Sequence, residues 1–390
     1  MREYRYLIVG GGMTADAACK AIRERDHSGS IGLVGAEAHA PYKRPPLTKG
    51  LWSGGSEDTI WRKTEEVAVD LTLGTRIVSL DLENQRVADD AGETYGYERL
   101  LLATGGTPRQ LPFAADGVIY FRTLDDYRRL RALTADPARV VVIGGGFIGS
   151  EIAAALTSNG HQVTMIFPED GVCGRLFPPD LSAFVTEYYG TKGVEVLAGE
   201  SVTAVERGMH VVTGGGRRLD ADVVVAGLGI VPDTALAASA GLTVDDGIVV
   251  DEFGRVDGRH DVFAAGDVAR FPMPALGGTA RVEHEDHANT HGACVGANMA
   301  GAHHAYDHLP FFYSDLFDLG YEAVGELDPR SDALVEWAEP NRKGIVCYVD
   351  GEGRPRGLLL WDVWGKVDAA RGLITAGDRA EPAVLRELIG

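Results

Sequence analysis

Two lobes of α/β architecture, one inserted in the other, and a small C-terminal α+β domain are predicted for this 390-residue chain on three observations. Two apolar runs, Tyr6-Leu7-Ile8-Val9 and Val140-Val141-Val142-Ile143, each lead straight into three glycines. A helical pattern opens directly after each glycine turn. A further apolar strand ending in Gly-Asp, Asp261-Val262-Phe263-Ala264-Ala265-Gly266-Asp267, lies beyond the second lobe and reads as a return to the first. A buried strand turning through glycines into a helix is the setting of a Rossmann-like dinucleotide-binding domain. The expected boundaries are 1–110 with 240–305 for the first lobe, 111–239 for the second and 306–390 for the C-terminal domain.

In the first lobe, residues 4–9 read as a strand, Ala15 to Arg25 as an amphipathic helix and Ser30 to Val34 as the next strand, a βαβ unit of ordinary size. Glu37 lies near the end of that strand, where an acid binds ribose hydroxyls. The loop Pro41-Tyr42-Lys43-Arg44-Pro45-Pro46-Leu47-Thr48-Lys49 follows, its prolines predicting an extended path. Leu100-Leu101-Leu102-Ala103-Thr104-Gly105-Gly106 is another strand with a glycine turn. In the second lobe, Asp125 to Leu133 reads as a helix, Phe147 to Ser158 as the helix after the glycines, and His161 to Phe167 as a strand ending in Pro168-Glu169-Asp170. Val223 to Gly227 closes this sheet, just before Gly229. A helix from Asp286 to Ala300 follows the returning strand. The C-terminal domain shows two strand patterns, Gly344 to Val349 and Gly357 to Trp361, and one late helix, Lys366 to Thr375.

The composition, 45% apolar and 24% charged, is that of a globular protein, and the 51 glycines show no period. No apolar run is long enough to span a membrane. The first strand begins almost at the N-terminus, which predicts no leader segment and a cytoplasmic location. A net charge of −20 argues against binding nucleic acid or an anionic membrane. The acidic excess lies after residue 110. Cys19, Cys173, Cys294 and Cys347 form no CxxC pair and no zinc-type spacing, so they read as free, mostly buried thiols, and no metal is expected. His287 and His291 read as a packed or solvated helix face, and His303, His304 and His308 as surface residues.

Glycine in such turns lets the backbone approach a pyrophosphate, whose charge sits where helix amides point. The first turn, Gly10, Gly12 and Ala15, has alanine where glycine is usual. The second keeps Gly144, Gly146 and Gly149 and is followed by Glu151. Glu169 at the tip of the second lobe's second strand favours the 2′-hydroxyl of NADH over the 2′-phosphate of NADPH. Arg175 either offsets that preference or stacks on adenine. Two such turns in one chain point to a two-cofactor flavoprotein.

The chain resembles the flavoprotein reductases that include ferredoxin, rubredoxin and putidaredoxin reductases, and among them the apoptosis-inducing factor type. The motifs that carry the resemblance are the Pro41 to Lys49 loop, Ala103-Thr104-Gly105-Gly106, Gly144 to Glu151, Phe263 to Asp267, Arg281-Val282-Glu283-His284-Glu285-Asp286-His287 and Phe312-Tyr313-Ser314-Asp315. They follow the family's order over nearly the whole chain. Tyr313 stands where apoptosis-inducing factors have tryptophan. Ala36 stands where many relatives have an acid, so that role either passes to Glu37 or is weaker. The short Asp328 to Lys343 connection lacks the animal factors' insertion, which argues against an apoptotic role.

The resemblance implies FAD over Gly10, Gly12 and Ala15, contacted by Glu37, Arg44, Lys49, Ala103, Thr104, Gly105, Asp267, Glu283 and His284. It implies NADH at Gly144, Gly146, Phe147, Ile148, Gly149, Glu151, Glu169 and Gly229. The catalytic group would be Lys49 paired with Glu151, Phe147 as a ring gate and His284 beside the nicotinamide. On its own, Lys49 reads equally as a surface lysine. The implied activity is that of a ferredoxin–NAD(+) reductase, in which hydride passes from NADH to FAD and single electrons then pass to a ferredoxin or rubredoxin. A basic patch of Lys43, Arg62, Lys63 and Arg109 would receive that acidic partner. A redox sensor that keeps a long-lived NADH charge-transfer complex, and an NADH:quinone reductase, are the alternatives. A homodimer is left open.

Overall fold

The computed structural model describes residues 2–113 and 116–390. The chain divides into two compact units. One comprises Met1–Arg44, Glu57–Thr107 and Val231–Pro310, the other Pro45–Ser56, Pro108–Ile230 and Phe311–Gly390.

The first unit is built on parallel strands in the order Asp70–Leu73, Ile31–Gly35, Arg2–Val9, Thr94–Leu102 and Val262–Ala264. Near-continuous apolar runs such as Leu7-Ile8-Val9 and Leu100-Leu101-Leu102 suit strands covered on both faces, and all six residues are buried. Val262 pairs with Leu100 and Ala264 with Leu102, so the late strand does rejoin the first sheet. The Asp70–Leu73 strand and the Ile77–Asp81 and Arg86–Asp89 hairpin were not expected, because their apolar residues are few and, the buried Val87 apart, only partly covered. The Met13–Arg25 helix and the long Glu285–Met299 helix belong to the same unit.

The interior of this unit holds an imidazole and aromatic stack. His287 and His291 are fully buried against Phe271 and Tyr306, with the His291 and Tyr306 ring centroids 4.5 Å apart. The Gly266 amide donates to His291 Nδ1 at 3.3 Å, and His287 Nδ1 lies 3.0 Å from the Tyr306 hydroxyl. These histidines are thus packed rather than solvated. His308 departs from the surface reading, being half-buried with Nε2 2.6 Å from an Asp286 carboxylate oxygen. Burial pushes His287 down to about 3 and His291 well below the ordinary value of 6.5. The unfolded chain therefore takes up protons below pH 6.5 that the folded chain refuses. Stability is full above pH 6.5 and should fall by about 1.4 kcal/mol per pH unit for each of the two histidines as the pH drops toward 4. Denaturant titrations at pH 7, 6 and 5 measure this, and equal stability at all three would refute it.

The second unit repeats the parallel design with strands ordered Glu195–Ala198, Gln162–Phe167, Arg139–Ile143, Val223–Ala226 and Ile119–Tyr120. Thr123 and Asp126 form a capping box that starts the Leu124–Leu133 helix. The Pro179–Thr191 helix, absent from the sequence reading, begins with proline in its first turn, where a missing amide hydrogen does no harm. Residues from 311 onward form an antiparallel sheet ordered Phe311–Leu316, Leu319–Gly325, Pro355–Trp361, Lys343–Val349 and Asp332–Glu339. Two helices follow, Val367–Ala376 and Pro382–Ile389, not the single one expected. Phe177 joins this sheet to the rest of the unit by packing edge-on against Tyr321 and Trp361.

The proline loop is not extended throughout. Pro45–Leu47 forms a tight 3₁₀ turn, because the φ that proline imposes suits that helix as well as an extended chain, and Gly50–Trp52 just beyond the loop forms a second. No helix among the described residues is long and apolar enough to cross a membrane.

Candidate functional site

Both glycine turns have the same construction. Gly10 has φ of 127° and Gly144 of 117°, a left-handed region that side chains disfavour. A Cβ at Gly10 would strike the Ala103 carbonyl, and one at Gly144 the Gly227 carbonyl. Gly12 and Gly146 occupy the N-cap positions of the two helices, and no side chain caps either. A Cβ at Gly12 or Gly146 would meet no atom within 4 Å. Each turn therefore offers helix amides beside open space, the form of a pyrophosphate cradle. Ala15 replaces glycine without strain and is fully buried, whereas a Cβ at Gly149 would strike the Gly144 carbonyl.

Around the first cradle, Glu37 accepts from the Tyr42 hydroxyl at 2.6 Å and from the Arg44 guanidinium at 2.5 Å. Glu37 and Arg44 thus form one preset pair rather than two independent contacts. The Ala103 amide donates to the Val9 carbonyl at 2.8 Å, and the Thr104 hydroxyl to the Asp233 carbonyl at 2.7 Å. Gly105, with φ of 65°, turns the chain next. Asp267 lies in a short 3₁₀ turn, and Arg281 donates to its carbonyl at 3.3 Å and to the Glu283 carboxylate at 2.6 Å. His284 is the N-cap of the Glu285–Met299 helix. Loss of water pushes its imidazole down to about 4, against the upward pull of Asp267 and Asp286, so it is neutral at physiological pH.

In the second unit, Phe147 opens its helix and packs edge-on against Phe312, ring centroids 5.1 Å apart. Ile148 follows it, half-buried, and the exposed Gly229 accepts from the Arg109 amide at 2.9 Å. Glu169 stands at the end of its strand with the Arg175 guanidinium 2.5 Å away; Arg175 is otherwise 81% exposed.

A polar cluster of this unit surrounds Glu151, whose side chain is 7% exposed. Lys49 forms an ion pair with its Oε1. The Ser314 hydroxyl donates to the same oxygen at 2.5 Å, and the Thr48 hydroxyl to Oε2 at 2.5 Å. Lys49 lies 3.8 Å from the half-exposed Asp315 carboxylate and 5.1 Å from the Tyr313 ring centre. Burial, with the Glu151 charge acting in the same direction, holds the Tyr189 and Tyr321 phenols well above their ordinary range, so both stay neutral. Lys49 and Glu151 were singled out from the sequence, and the fold brings them together. Thr48 and Ser314 stand inside the sequence motifs, which by themselves assign them no role. Their adjacency to Lys49 and to the Tyr313 and Asp315 pair was the available signal.

Arg62 does not belong to a basic docking patch. Its Nε donates to the buried Asp16 carboxylate at 2.6 Å, beside the Thr64 hydroxyl at 2.7 Å, because a buried carboxylate demands donors. Lys63 lies 3.3 Å from Glu66. Cys19, Cys173, Cys294 and Cys347 are free thiols. Burial pushes Cys173 and Cys347 up to about 12 and Cys294 to about 11, so none is a thiolate at neutral pH.

Two glycine cradles on parallel sheets, an acid at a second-strand tip and a buried Lys–Glu pair define an oxidoreductase of the two-dinucleotide class. The pyridine nucleotide-disulphide oxidoreductase family matches residues 4–292, and the chain belongs to that family. It is 36% identical over 400 residues to the anthranilate 1,2-dioxygenase system ferredoxin–NAD(+) reductase component of Burkholderia cepacia, covering 98% of this chain and 97% of that protein. It is 33% identical to apoptosis-inducing factor 1 of Dictyostelium discoideum, covering 96% and 79%. Among solved structures, the covalent putidaredoxin reductase–putidaredoxin complex contains a chain that matches with a TM-score of 0.92 at 29% identity, covering 100% of this chain and 99% of that one. The chain is an oxidoreductase of the ferredoxin reductase type, and its cofactors are FAD and NAD(H).

Proposed function

We propose that this protein oxidises NADH by hydride transfer to FAD and passes the electrons singly to an iron–sulfur protein of the ferredoxin or rubredoxin type. The observation that carries this reading is the Lys49–Glu151 pair, a cation fixed in a nearly dry site by a carboxylate with two further hydroxyl donors. FAD, when bound, supplies the chemistry that converts a two-electron donation into one-electron steps.

The chain's part is placement. The cradle of Gly10, Gly12 and Ala15, with Ala103, Thr104, Gly105 and Asp267, holds the FAD pyrophosphate and ribityl region, and Glu37 with Arg44 its nucleotide end. The amides that open the Glu285–Met299 helix, with Glu283 and His284 before it, favour negative charge on a reduced ring system. Gly144, Gly146, Ile148, Gly149 and Gly229 hold NADH, Glu169 its ribose, and Phe147 its reactive ring. Lys49 supplies a fixed positive charge that needs no reorganisation during transfer. The cytoplasm is the compartment that goes with this reading.

Anaerobic NADH should bleach the flavin band stoichiometrically. Ferredoxin should then support cytochrome c reduction at a rate well above that without it. A purified protein that neither contains nor binds FAD would sink the proposal.

Glu169→Ala should lower the preference for NADH over NADPH about tenfold, the worth of roughly one charge-assisted hydrogen bond. Arg175 is then free to meet a 2′-phosphate. Steady-state kcat/KM for the two coenzymes measures it, and an unchanged ratio would remove Glu169 from the ribose site. A second reading, a slow redox sensor, draws support from the similarity to apoptosis-inducing factor. Reoxidation of the NADH-reduced protein by ferredoxin within seconds favours the reductase; minutes favour the sensor.

A further inference from the structure

The Phe311–Leu316 strand reaches the Lys49–Glu151 pair with three successive side chains. Strand geometry sends alternate residues to opposite faces. Tyr313 and Asp315 accordingly share one face, where Lys49 lies 5.1 Å from the tyrosine ring centre and 3.8 Å from the aspartate. Ser314 points the other way, is fully buried, and donates to Glu151 Oε1 at 2.5 Å. Lys49 thus stands between two carboxylates of unequal burial. Glu151 is nearly dry and Asp315 half-exposed.

We propose that Ser314 is a positioning residue that decides which of these carboxylates holds Lys49. The Ser314 hydroxyl and the Thr48 hydroxyl each grip one oxygen of Glu151, which leaves the carboxylate a single orientation, with Oε1 turned to the ammonium. Without the Ser314 donor, Oε1 keeps only Lys49 as its partner in this cluster, and the side chain is free to turn about the Thr48 contact. A buried carboxylate left short of a donor pays a desolvation penalty that disfavours its charged form there. Asp315, already within ion-pair distance, then competes for the ammonium in better-solvated surroundings. Lys49 moves outward, and its charge no longer sits where the hydride-transfer site needs it. The antiparallel sheet of the second unit thereby governs the pair through one hydroxyl. This inference rests on the reading of Lys49 and Glu151 as the hydride-transfer pair.

The test uses the FAD-loaded full chain and its Ser314→Ala variant. Two quantities are read: the visible absorption band of the oxidised flavin without NADH, and the limiting rate of flavin bleaching by NADH. Ser314→Ala should shift the band and slow the limiting rate about tenfold, with the NADH concentration for half-maximal rate changed less than about twofold, the pattern of lost placement rather than lost binding. Ser314→Thr should restore both quantities. Adding Asp315→Asn to Ser314→Ala should recover most of the lost rate, because the competing carboxylate is gone; this coupling is one that a merely structural serine would not produce. If Ser314→Ala holds no FAD, the Ser314→Cys variant, a weak donor of similar size, replaces it with a smaller effect in the same direction. Wild-type values for both quantities in Ser314→Ala, or a further loss on adding Asp315→Asn, would overturn the proposal. Lys49→Met and Glu151→Gln run alongside. If they slow bleaching and Ser314→Ala does not, only the role of Ser314 falls; if they leave it unchanged, the reading of the pair falls as well.

Discussion

Lys49→Met should slow NADH-driven flavin reduction about a hundredfold, the usual consequence of removing one preorganised electrostatic group from a dry site. Methionine keeps most of the lysine stem and deletes the charge, so packing around it changes little. Glu151 would keep its Thr48 and Ser314 donors, which spares the fold the full penalty of an abandoned buried carboxylate. Combining Lys49→Met with Glu151→Gln should raise the melting temperature above that of Lys49→Met alone, since no buried charge is then left unpaired, yet leave the reduction rate low. Stability and rate thus part company. Were Lys49 only a structural cation, the double replacement would restore both. Stopped-flow bleaching and thermal melts on the same preparations decide between the two.

Much of this site is written locally in the chain and much is not. Gly10, Gly12, Gly144 and Gly146 are legible because a strand, a turn and a helix start lie within a dozen residues, and short-range geometry fixes what they can do. Strands such as Arg139–Ile143 are legible because both faces are covered, so the run is apolar without interruption. Tyr313, Ser314 and Asp315 carry no such signal. Two of the three are polar, and a polar strand with one solvated face reads like a loop until its partner Leu319–Gly325 is known. The contacts of Glu151 with Thr48 and Ser314 join segments more than a hundred residues apart, where no periodicity reaches. Arg62 shows the same limit from the other side. As a sequence it is one of several exposed-looking cations, and only the buried Asp16, a feature of the Met13–Arg25 helix, turns it inward. The proline loop is intermediate. Its residues announce a constrained path, but proline's φ is shared by extended and 3₁₀ chains, so the turn at Pro45–Leu47 could not be told from an extension.

The two open glycine positions allow cofactor binding to be separated from folding. Gly12 has φ of −92° and lies at a helix N-cap, and a Cβ there meets no protein atom within 4 Å. Gly146, with φ of −85°, is in the same situation. Alanine at either position therefore should cost the cofactor-free fold no more than about 1 kcal/mol, the difference between glycine and alanine at an N-cap. The space the methyl group fills is the space over the helix amides, so a pyrophosphate there would lose direct contact with them. Gly12→Ala should weaken FAD binding about a hundredfold, the upper end of the roughly 1.5–3 kcal/mol carried by a hydrogen bond to a charged group. Gly146→Ala should raise the NADH concentration needed for half-maximal bleaching by a similar factor while FAD stays bound. Gly10→Ala is the contrast. Its left-handed φ and the Ala103 carbonyl forbid the side chain whether or not a cofactor is present, so it should lower the melting temperature of the apoprotein itself. Flavin-to-protein ratios, NADH titrations and melts of the apoprotein distinguish the three variants. Loss of FAD by Gly146→Ala with NADH binding intact would reverse the assignment of the two cradles.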